Sequence, residues 1–150
     1  MPVELVTAPT EEVSEAINEL LPQLSASAPA LTEEQISSFI TQDSVYLFVF
    51  RNEDSNRITG MLSLATFVIP TGLRAWIEDV VVSEQARGQG AGQAIIGEAV
   101  AYAEKIGAKS VDLTSRPARE AANRLYMRCG FEKRETNVYR YRESEIVDSL

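Results

Sequence analysis

The sequence predicts an α/β domain in which helices are layered on a mixed β-sheet. Segments with the apolar alternation or β-branched runs of strands are separated by turns from segments with helical spacing. In chain order the elements are βααβββαβαββ, an order that describes a sheet covered by helices. With 150 residues, 45% of them apolar, the chain is expected to form one domain with a substantial core.

The first half of the chain is expected to contain two helices between strands. Thr10 is suited to N-cap the first helix, which is predicted to run to about Leu21, before Pro22. The sequence Thr32-Glu33-Glu34-Gln35 is a capping box that opens the second helix. Strands are predicted at 3–7, 44–50 and 58–69, the last two joined by a polar turn at 51–57.

The second half begins with a strand at 73–82, followed by a glycine-rich turn and a helix that includes 94–103. Gly107 is a natural C-cap for that helix, and Gly130 ends a later helix at about 119–128. The remaining strands are predicted at 110–114, 131–134 and 137–141, the last two as a closing pair.

Acidic residues are concentrated in the first third of the chain. Residues 1–56 contain ten acidic residues and one basic residue, whereas residues 57–150 contain twelve acidic and thirteen basic residues. The simplest interpretation is solubility. A second interpretation is that two ligands of opposite charge meet in one cleft. The net charge of −8 argues against non-specific nucleic-acid binding.

Several classes of protein are not expected. No run of about 18 apolar residues is present, and the N-terminal residues lack the regions of a signal peptide, so neither membrane insertion nor export is predicted. A single cysteine, Cys129, fits a reducing cytoplasm. Because the chain has no histidine, no metal site is expected, and a general base must be a carboxylate, tyrosine, lysine or water.

The glycine-rich turn, Arg87 to Gln93, connects an apolar strand to a helix. Such a turn places bare backbone N–H groups at a helix N-terminus, where the helix dipole favours an anion, and Arg87 adds a positive charge. We therefore expect a phosphorylated ligand here. A dinucleotide fingerprint is excluded because the third glycine position is Gln93 or Ile95, and a P-loop because the first lysine of the chain is Lys105.

The remaining pattern, Arg87-x-x-Gly90-x-Gly92, resembles the signature of the GNAT superfamily of acyl-CoA-dependent N-acyltransferases. The segment Tyr126-x-x-x-Gly130-Phe131 and the element order extend the resemblance over nearly the whole chain. The resemblance implies the GNAT fold, with a mostly antiparallel sheet of about six to seven strands and helices on both faces. It also implies acetyl-CoA as the co-substrate.

By this resemblance, the backbone N–H groups of the turn hold the CoA pyrophosphate, and its glycines leave room for the phosphate oxygens. The backbone of β-strand residues pairs with the pantetheine arm, and an asparagine amide bonds the same arm. The implied cofactor-binding residues are Val80, Val82, Arg87, Gly88, Gln89, Gly90, Ala91, Gly92, Gln93 and Asn123.

Glu78 and Asp79 are candidates for the general base because they lie in the most apolar predicted strand, where a desolvated carboxylate has a raised pKa. Strict alternation places Glu78 on the same face as Val80 and Val82, although a bulge would shift the count. The stretch Ile77-Glu78-Asp79-Val80 resembles glucosamine-phosphate acetyltransferases, whose matching glutamate lies at the reaction centre. We expect Glu78 to act as base and keep Asp79 as the alternative.

Tyr126 matches the tyrosine that many GNAT enzymes use as general acid toward the CoA sulfur. A phenol with a pKa of about 10 is protonated at pH 7 and can give a proton to a thiolate. Cys129 is expected to pack rather than react, since transfer is direct. A basic cluster, which meets a phosphate or is simply solvated, consists of Arg116, Arg119, Arg124 and Arg128.

These patterns predict a cytoplasmic N-acetyltransferase that moves the acetyl group of acetyl-CoA to a primary amine of a small molecule. The acidic first third favours a cationic amine as the acceptor, whereas the Glu-Asp stretch favours a sugar phosphate, so the sequence does not decide the acceptor. It also does not decide between an acetyl donor and a longer acyl donor. The alternatives are a peptide or protein N-terminal acetyltransferase and a non-catalytic acyl-CoA-binding regulatory module. By the resemblance, the closing strands offer a homodimer contact through Val138, Tyr139 and Tyr141.

Overall fold

A mixed five-stranded sheet lies at the centre of the computed structural model, which describes residues 2–86 and 88–142. Strands β1 to β4 are antiparallel neighbours in chain order, and β5 pairs parallel with β4. The strands are β1 (Val3–Val6), β2 (Val45–Arg51), β3 (Ile58–Ile69), β4 (Gly72–Val82) and β5 (Val111–Asp112). The helices are α1 (Glu11–Leu24), α2 (Glu33–Ile40), α3 (Ala91–Lys105) and α4 (Glu120–Arg128).

Two apolar cores lie on opposite faces of the sheet, as the prediction of helices on both faces requires. On one face, Ile95 of α3 packs with Leu62 of β3 in a cluster that we call the α3 core. On the other face, Leu20 of α1 and Ile36 of α2 pack with Val49 of β2 in the α1–α2 core. Burial of these side chains from water fixes which face each helix covers.

Helix α1 begins at the predicted N-cap but ends later than predicted. The Thr10 hydroxyl oxygen accepts a first-turn backbone N–H at 3.2 Å. The predicted stop before Pro22 is wrong, because the helix continues to Leu24. Proline removes only one backbone donor. The last turn keeps a 2.9 Å bond from the Ser25 N–H to the Leu21 carbonyl, and Leu24 packs against the α1–α2 core.

Strand β4 contains a bulge at Asp79 and Val80, which together lie opposite the single residue Leu62 of β3. Asp79 has a φ of +52°, in the left-handed region that side chains rarely adopt. A bulge of this kind adds one residue to a strand and reverses the alternation beyond it. The alternation of side chains between the two faces of the sheet is therefore interrupted at Asp79.

The predicted closing pair of strands at 131–134 and 137–141 is not formed, because residues 131–142 contain no strand. Val138, Tyr139 and Tyr141 are 71% to 87% exposed. Strand β5 spans two residues, so its outer edge offers too few ladder hydrogen bonds to fix a further hairpin. The described sheet consequently has five strands instead of six to seven.

Candidate active site

The segment between the end of β4 and the N-terminus of α3 (residues 83–90), which we call the donor loop, contains the first part of the predicted glycine-rich turn. Gly88 and Gly90 have φ values of +86° and +74°, which glycine adopts without steric cost. No side chain of the described residues caps α3, and its first intrahelical bond is donated by Ala94 to the Gly90 carbonyl. The N–H groups of Ala91, Gly92 and Gln93 therefore have no intrahelical partner, and the anion site expected there stays a prediction.

The three glycines of the predicted turn, Gly88, Gly90 and Gly92, are required for two different reasons. A Cβ built on Gly92 would lie 2.8 Å from Cδ2 of Leu125, so this glycine permits the close approach of α3 and α4. A Cβ on Gly88 or Gly90 would meet no described atom within 4 Å. Their backbone conformation explains these two glycines, and the space outside them is open to a ligand.

The donor loop is held in place from two sides. Gln89 accepts a 2.6 Å hydrogen bond from Nδ2 of Asn52 in the β2–β3 turn. The Glu84 N–H donates a 3.0 Å bond to Oε1 of Gln23 in α1. A cleft of about 300 Å³ lies beside these contacts, between the turn, α1 and the loop, and neither Glu78 nor Tyr126 lines it. Arg87 lies outside the described residues.

Strands β4 and β5 pair only at Ala75 with Val111 and at Trp76 with Asp112. Beyond Trp76, the edge of β4 that faces β5 has no strand partner among the described residues. An unpaired strand edge can bind an extended ligand through backbone hydrogen bonds. The predicted pantetheine contacts, Val80 and Val82, lie in this segment, and their side chains pack against the α3 core.

Glu78 lies on the opposite face of the sheet from Val80 and Val82, so the predicted placement of these three residues on one face is wrong. Ile77 belongs to the α3 core, which directs Glu78 toward the α1–α2 side, and the bulge at Asp79 then reverses the alternation. Glu78 is exposed rather than desolvated.

The indole Nε1–H of Trp76 donates a 2.8 Å hydrogen bond to Oε1 of Glu78. The sequence analysis did not single out Trp76. The sequence did offer a signal for this contact: Trp76 is two residues before Glu78, and residues two apart on a regular strand lie on the same face of the sheet.

The surroundings of Asp79 make its carboxyl group less acidic. The neighbouring protein atoms remove part of its hydration and raise the pKa of Asp79, and the charge of Glu78 raises it further. Asp79 thus has the electrostatic property that the sequence analysis expected for Glu78.

Tyr126 of α4 packs against the α3 core, with its ring centroid 6.2 Å from that of Phe131 in an edge-to-face contact. Burial raises the pKa of the Tyr126 phenol, against a smaller opposite effect of Arg119. The phenol is therefore protonated at neutral pH. Asn123, one turn earlier, donates one of its two side-chain N–H groups to the Arg116 carbonyl at 3.1 Å.

Cys129 and the basic cluster are the remaining predicted features near α4. Cys129 is half-buried, and burial raises the pKa of its thiol, which is typical of a packing cysteine. All four side chains of the cluster are exposed, namely Arg116, Arg119, Arg124 and Arg128.

Part of the acidic charge of the first third is paired within the protein. Arg51 bonds Glu4 at 2.7 Å and Glu12 at 2.8 Å, and Arg57 bonds Glu19 at 3.1 Å. These pairs attach β1 and α1 to the β2–β3 turn. They reduce the charge that this part of the chain can offer to a cationic ligand.

Two further observations concern only residues 2–86 and 88–142. No group of three or more potential ligands from histidine, cysteine, aspartate and glutamate is arranged to hold a metal ion. None of the helices there combines the length and the hydropathy that crossing a bilayer requires.

The family model for acetyltransferases of the GNAT family matches residues 11–131. The chain belongs to the GNAT acetyltransferase family. As a GNAT protein it is an acyltransferase, and its described fold is that of solved acetyltransferase structures. No curated protein matches the sequence significantly.

Three similar solved structures illustrate the range of this GNAT fold. An acetyltransferase from Trypanosoma brucei is 27% identical, with a TM-score of 0.73 over 93% of this chain and 99% of that one. Glucosamine-6-phosphate N-acetyltransferase from Arabidopsis thaliana is 20% identical, with a TM-score of 0.75 over 94% and 99%. An aminoglycoside acetyltransferase from an uncultured soil sample, in complex with sisomicin, is 19% identical, with a TM-score of 0.81 over 93% of each chain.

Proposed function

We propose that this GNAT enzyme transfers the acetyl group of acetyl-CoA directly to a primary amine of a small molecule. One observation carries the proposal: the open, uncapped N-terminus of α3 lies at the end of β4, whose edge beyond Trp76 is unpaired. In this arrangement an anion site adjoins an extended backbone edge. The anion site suits the pyrophosphate of CoA, and the backbone edge suits its amide-containing pantetheine arm.

In the proposed complex, the CoA pyrophosphate accepts hydrogen bonds from the N–H groups between Gly88 and Gln93, with Arg87 supplying positive charge. The pantetheine arm pairs with the backbone of Val80 and Val82. Asn123 would bind this arm through its side-chain oxygen or its second N–H, since its first N–H bonds the Arg116 carbonyl.

The proposed chemistry uses groups on opposite faces of the sheet. Glu78 lies on the α1–α2 face and Tyr126 packs on the α3 face. Strands β4 and β5 pair only as far as Trp76, and we propose that the thioester lies beyond this point, within reach of both residues. Glu78 takes one proton from the bound ammonium group, which leaves a neutral amine whose nitrogen bonds the thioester carbonyl carbon. The carbon–sulfur bond then breaks as Tyr126 gives its proton to the departing thiolate, and the Tyr126 oxygen regains a proton from the positively charged nitrogen of the intermediate.

The acceptor class that we favour is a cationic amine such as an aminoglycoside or a polyamine. The exposed carboxylates of Glu78 and Asp79 lie where the amine would enter and would repel an anion. A sugar phosphate is the competing acceptor, and similar structures include enzymes named for each kind of substrate.

The experiment is an acetylation assay with acetyl-CoA on a panel containing sisomicin, spermidine, glucosamine-6-phosphate and a short peptide. We expect turnover on a cationic amine, with kcat lowered at least about 100-fold in Glu78→Gln and about 10-fold to 100-fold in Tyr126→Phe. Matched controls, Glu104→Gln and Tyr139→Phe, change exposed residues outside the proposed site and should leave kcat unchanged.

Three results would overturn parts of this proposal. Binding of acetyl-CoA without turnover on any amine would favour the regulatory module. Turnover confined to the peptide would favour an N-terminal acetyltransferase. Unchanged kcat in both active-site variants would remove the assigned mechanism.

A further inference from the structure

We infer that Trp76 positions the carboxylate of Glu78 and forms with it a subsite for the ammonium group of the acceptor. This inference rests on the proposed function, because it assigns a second residue to the site where Glu78 acts as base. It also narrows the acceptor to amines that arrive as cations.

The hydrogen bond between these residues fixes one oxygen of the carboxylate. The indole nitrogen of Trp76 can only donate, so the 2.8 Å bond at Oε1 requires Glu78 to accept. Oε1 thus already accepts one bond, and the inference assigns Oε2, which has no protein donor among the described residues, to the proton of an incoming ammonium group. The bond also restricts the rotamers of an exposed side chain, which otherwise would have to be ordered when substrate binds.

Small side chains lie beside the pair on the same face of the sheet. Trp76 is directly opposite Ala65 of β3, and Glu78 is directly opposite Ser63. On β2 the same two rows continue with Val45 and Leu47. Because Ala65 and Ser63 are short, we expect a shallow recess beside the indole that leads to the carboxylate.

The charges around this recess favour a cation. Within residues 2–86 and 88–142, Glu78 forms no ion pair. Arg74, the nearest basic residue along β4, donates instead to the Thr71 hydroxyl at 2.9 Å. An ammonium group would therefore be the cation that pairs with Glu78, and the face of the indole attracts cations through its quadrupole.

The inference can be measured directly because Trp76 is the only tryptophan of the chain. Titration with butylamine is expected to change its fluorescence, whereas 1-butanol at the same concentrations should not. The amine response should weaken at least about tenfold in Glu78→Gln, since the charge-assisted bond is lost. Equal responses to amine and alcohol would overturn the cation subsite.

A double-mutant cycle tests the positioning role. Trp76→Phe keeps an aromatic ring but removes the donor, and we expect kcat/KM for the amine to fall about tenfold while the KM for acetyl-CoA is unchanged. In the Glu78→Gln background, Trp76→Phe should have little further effect. Phe67→Leu, which changes another aromatic residue of the β3–β4 hairpin, is the matched control and should not alter kcat/KM.

The two proposals fail in different ways. If Glu78→Gln lowers turnover but Trp76→Phe does not, or if the two effects simply multiply, the positioning role is wrong and the proposed base stands. If Glu78→Gln leaves turnover unchanged, the proposed base is wrong, and the positioning role is lost with it. Melting temperatures of all variants separate these outcomes from unfolding, and Trp76→Tyr provides a second aromatic variant if Trp76→Phe is unstable.

Discussion

Leu125 occupies the space in which a side chain on Gly92 would lie, since a Cβ there would be 2.8 Å from the Leu125 Cδ2. Gly90, two residues earlier, has open space around it but a φ of +74°. The two glycines of the Arg-x-x-Gly-x-Gly signature therefore have different roles: Gly92 allows α3 and α4 to pack closely, and Gly90 allows the left-handed backbone conformation. Substitution at Gly90 should affect the donor loop without disturbing the contact between α3 and α4.

Gly90→Ala is expected to lower the free energy of unfolding by about 1 kcal/mol, because a Cβ is strained in the left-handed conformation. The same strain shifts the N–H groups that follow, so the KM for acetyl-CoA should rise severalfold while the KM for the amine stays constant. Gly90→Asn is the matched variant, since asparagine tolerates this conformation better than alanine. Urea denaturation and steady-state kinetics measure both effects. Equal losses in the two variants would contradict the conformational explanation.

Much of the fold was predictable because local patterns set it. The capping box is formed as predicted, with Thr32 and Gln35 exchanging hydrogen bonds of 2.9 Å and 3.1 Å, and β3 has its predicted bounds. A bulge in this strand was considered, but its position at Asp79 was not predictable, because Asp79 is an ordinary residue at a positive φ and only the pairing with β3 shows the extra residue. The segment 137–141 alternates like a strand, but strand formation also requires a partner edge, which local pattern does not report.

Asp79→Asn is expected to stabilise the protein at pH 7. Partial desolvation and the charge of Glu78 raise the pKa of Asp79, so the native state holds this proton more tightly than the unfolded chain does. The resulting stabilisation is fully present below the unfolded value of about 4 and is lost as pH rises through the folded pKa. Asparagine cannot ionise and tolerates the positive φ. Because Asp79 is exposed and solvent screens its charge, we expect a small gain, no more than about 0.5 kcal/mol at pH 7, that disappears near pH 3.

The control for this prediction is Asp79→Ala, which removes the same charge but is strained at the positive φ, so it should be less stable than Asp79→Asn at every pH. Thermal melts from pH 3 to pH 8 provide the comparison. Acetylation by Asp79→Asn should stay within about threefold of the unmodified protein if Glu78 is the base. A loss of about 100-fold would assign the base to Asp79 instead.

Arg51 and Arg57 provide a matched pair for testing how much their ion pairs with Glu4, Glu12 and Glu19 contribute to stability. The Arg51 side chain is 22% exposed and bonds both Glu4 and Glu12, whereas Arg57, 66% exposed, bonds only Glu19. Charge-assisted bonds to two carboxylates on different elements are stronger than one exposed pair. Arg51→Met should therefore lower the free energy of unfolding in urea by about 1–2 kcal/mol, and Arg57→Met by less than about 0.5 kcal/mol.

Added salt should diminish the effect of Arg57→Met more than that of Arg51→Met, because exposed pairs are screened more strongly than partly buried ones. Equal effects of the two substitutions would mean that the Arg51 pairs contribute no more than ordinary surface charge.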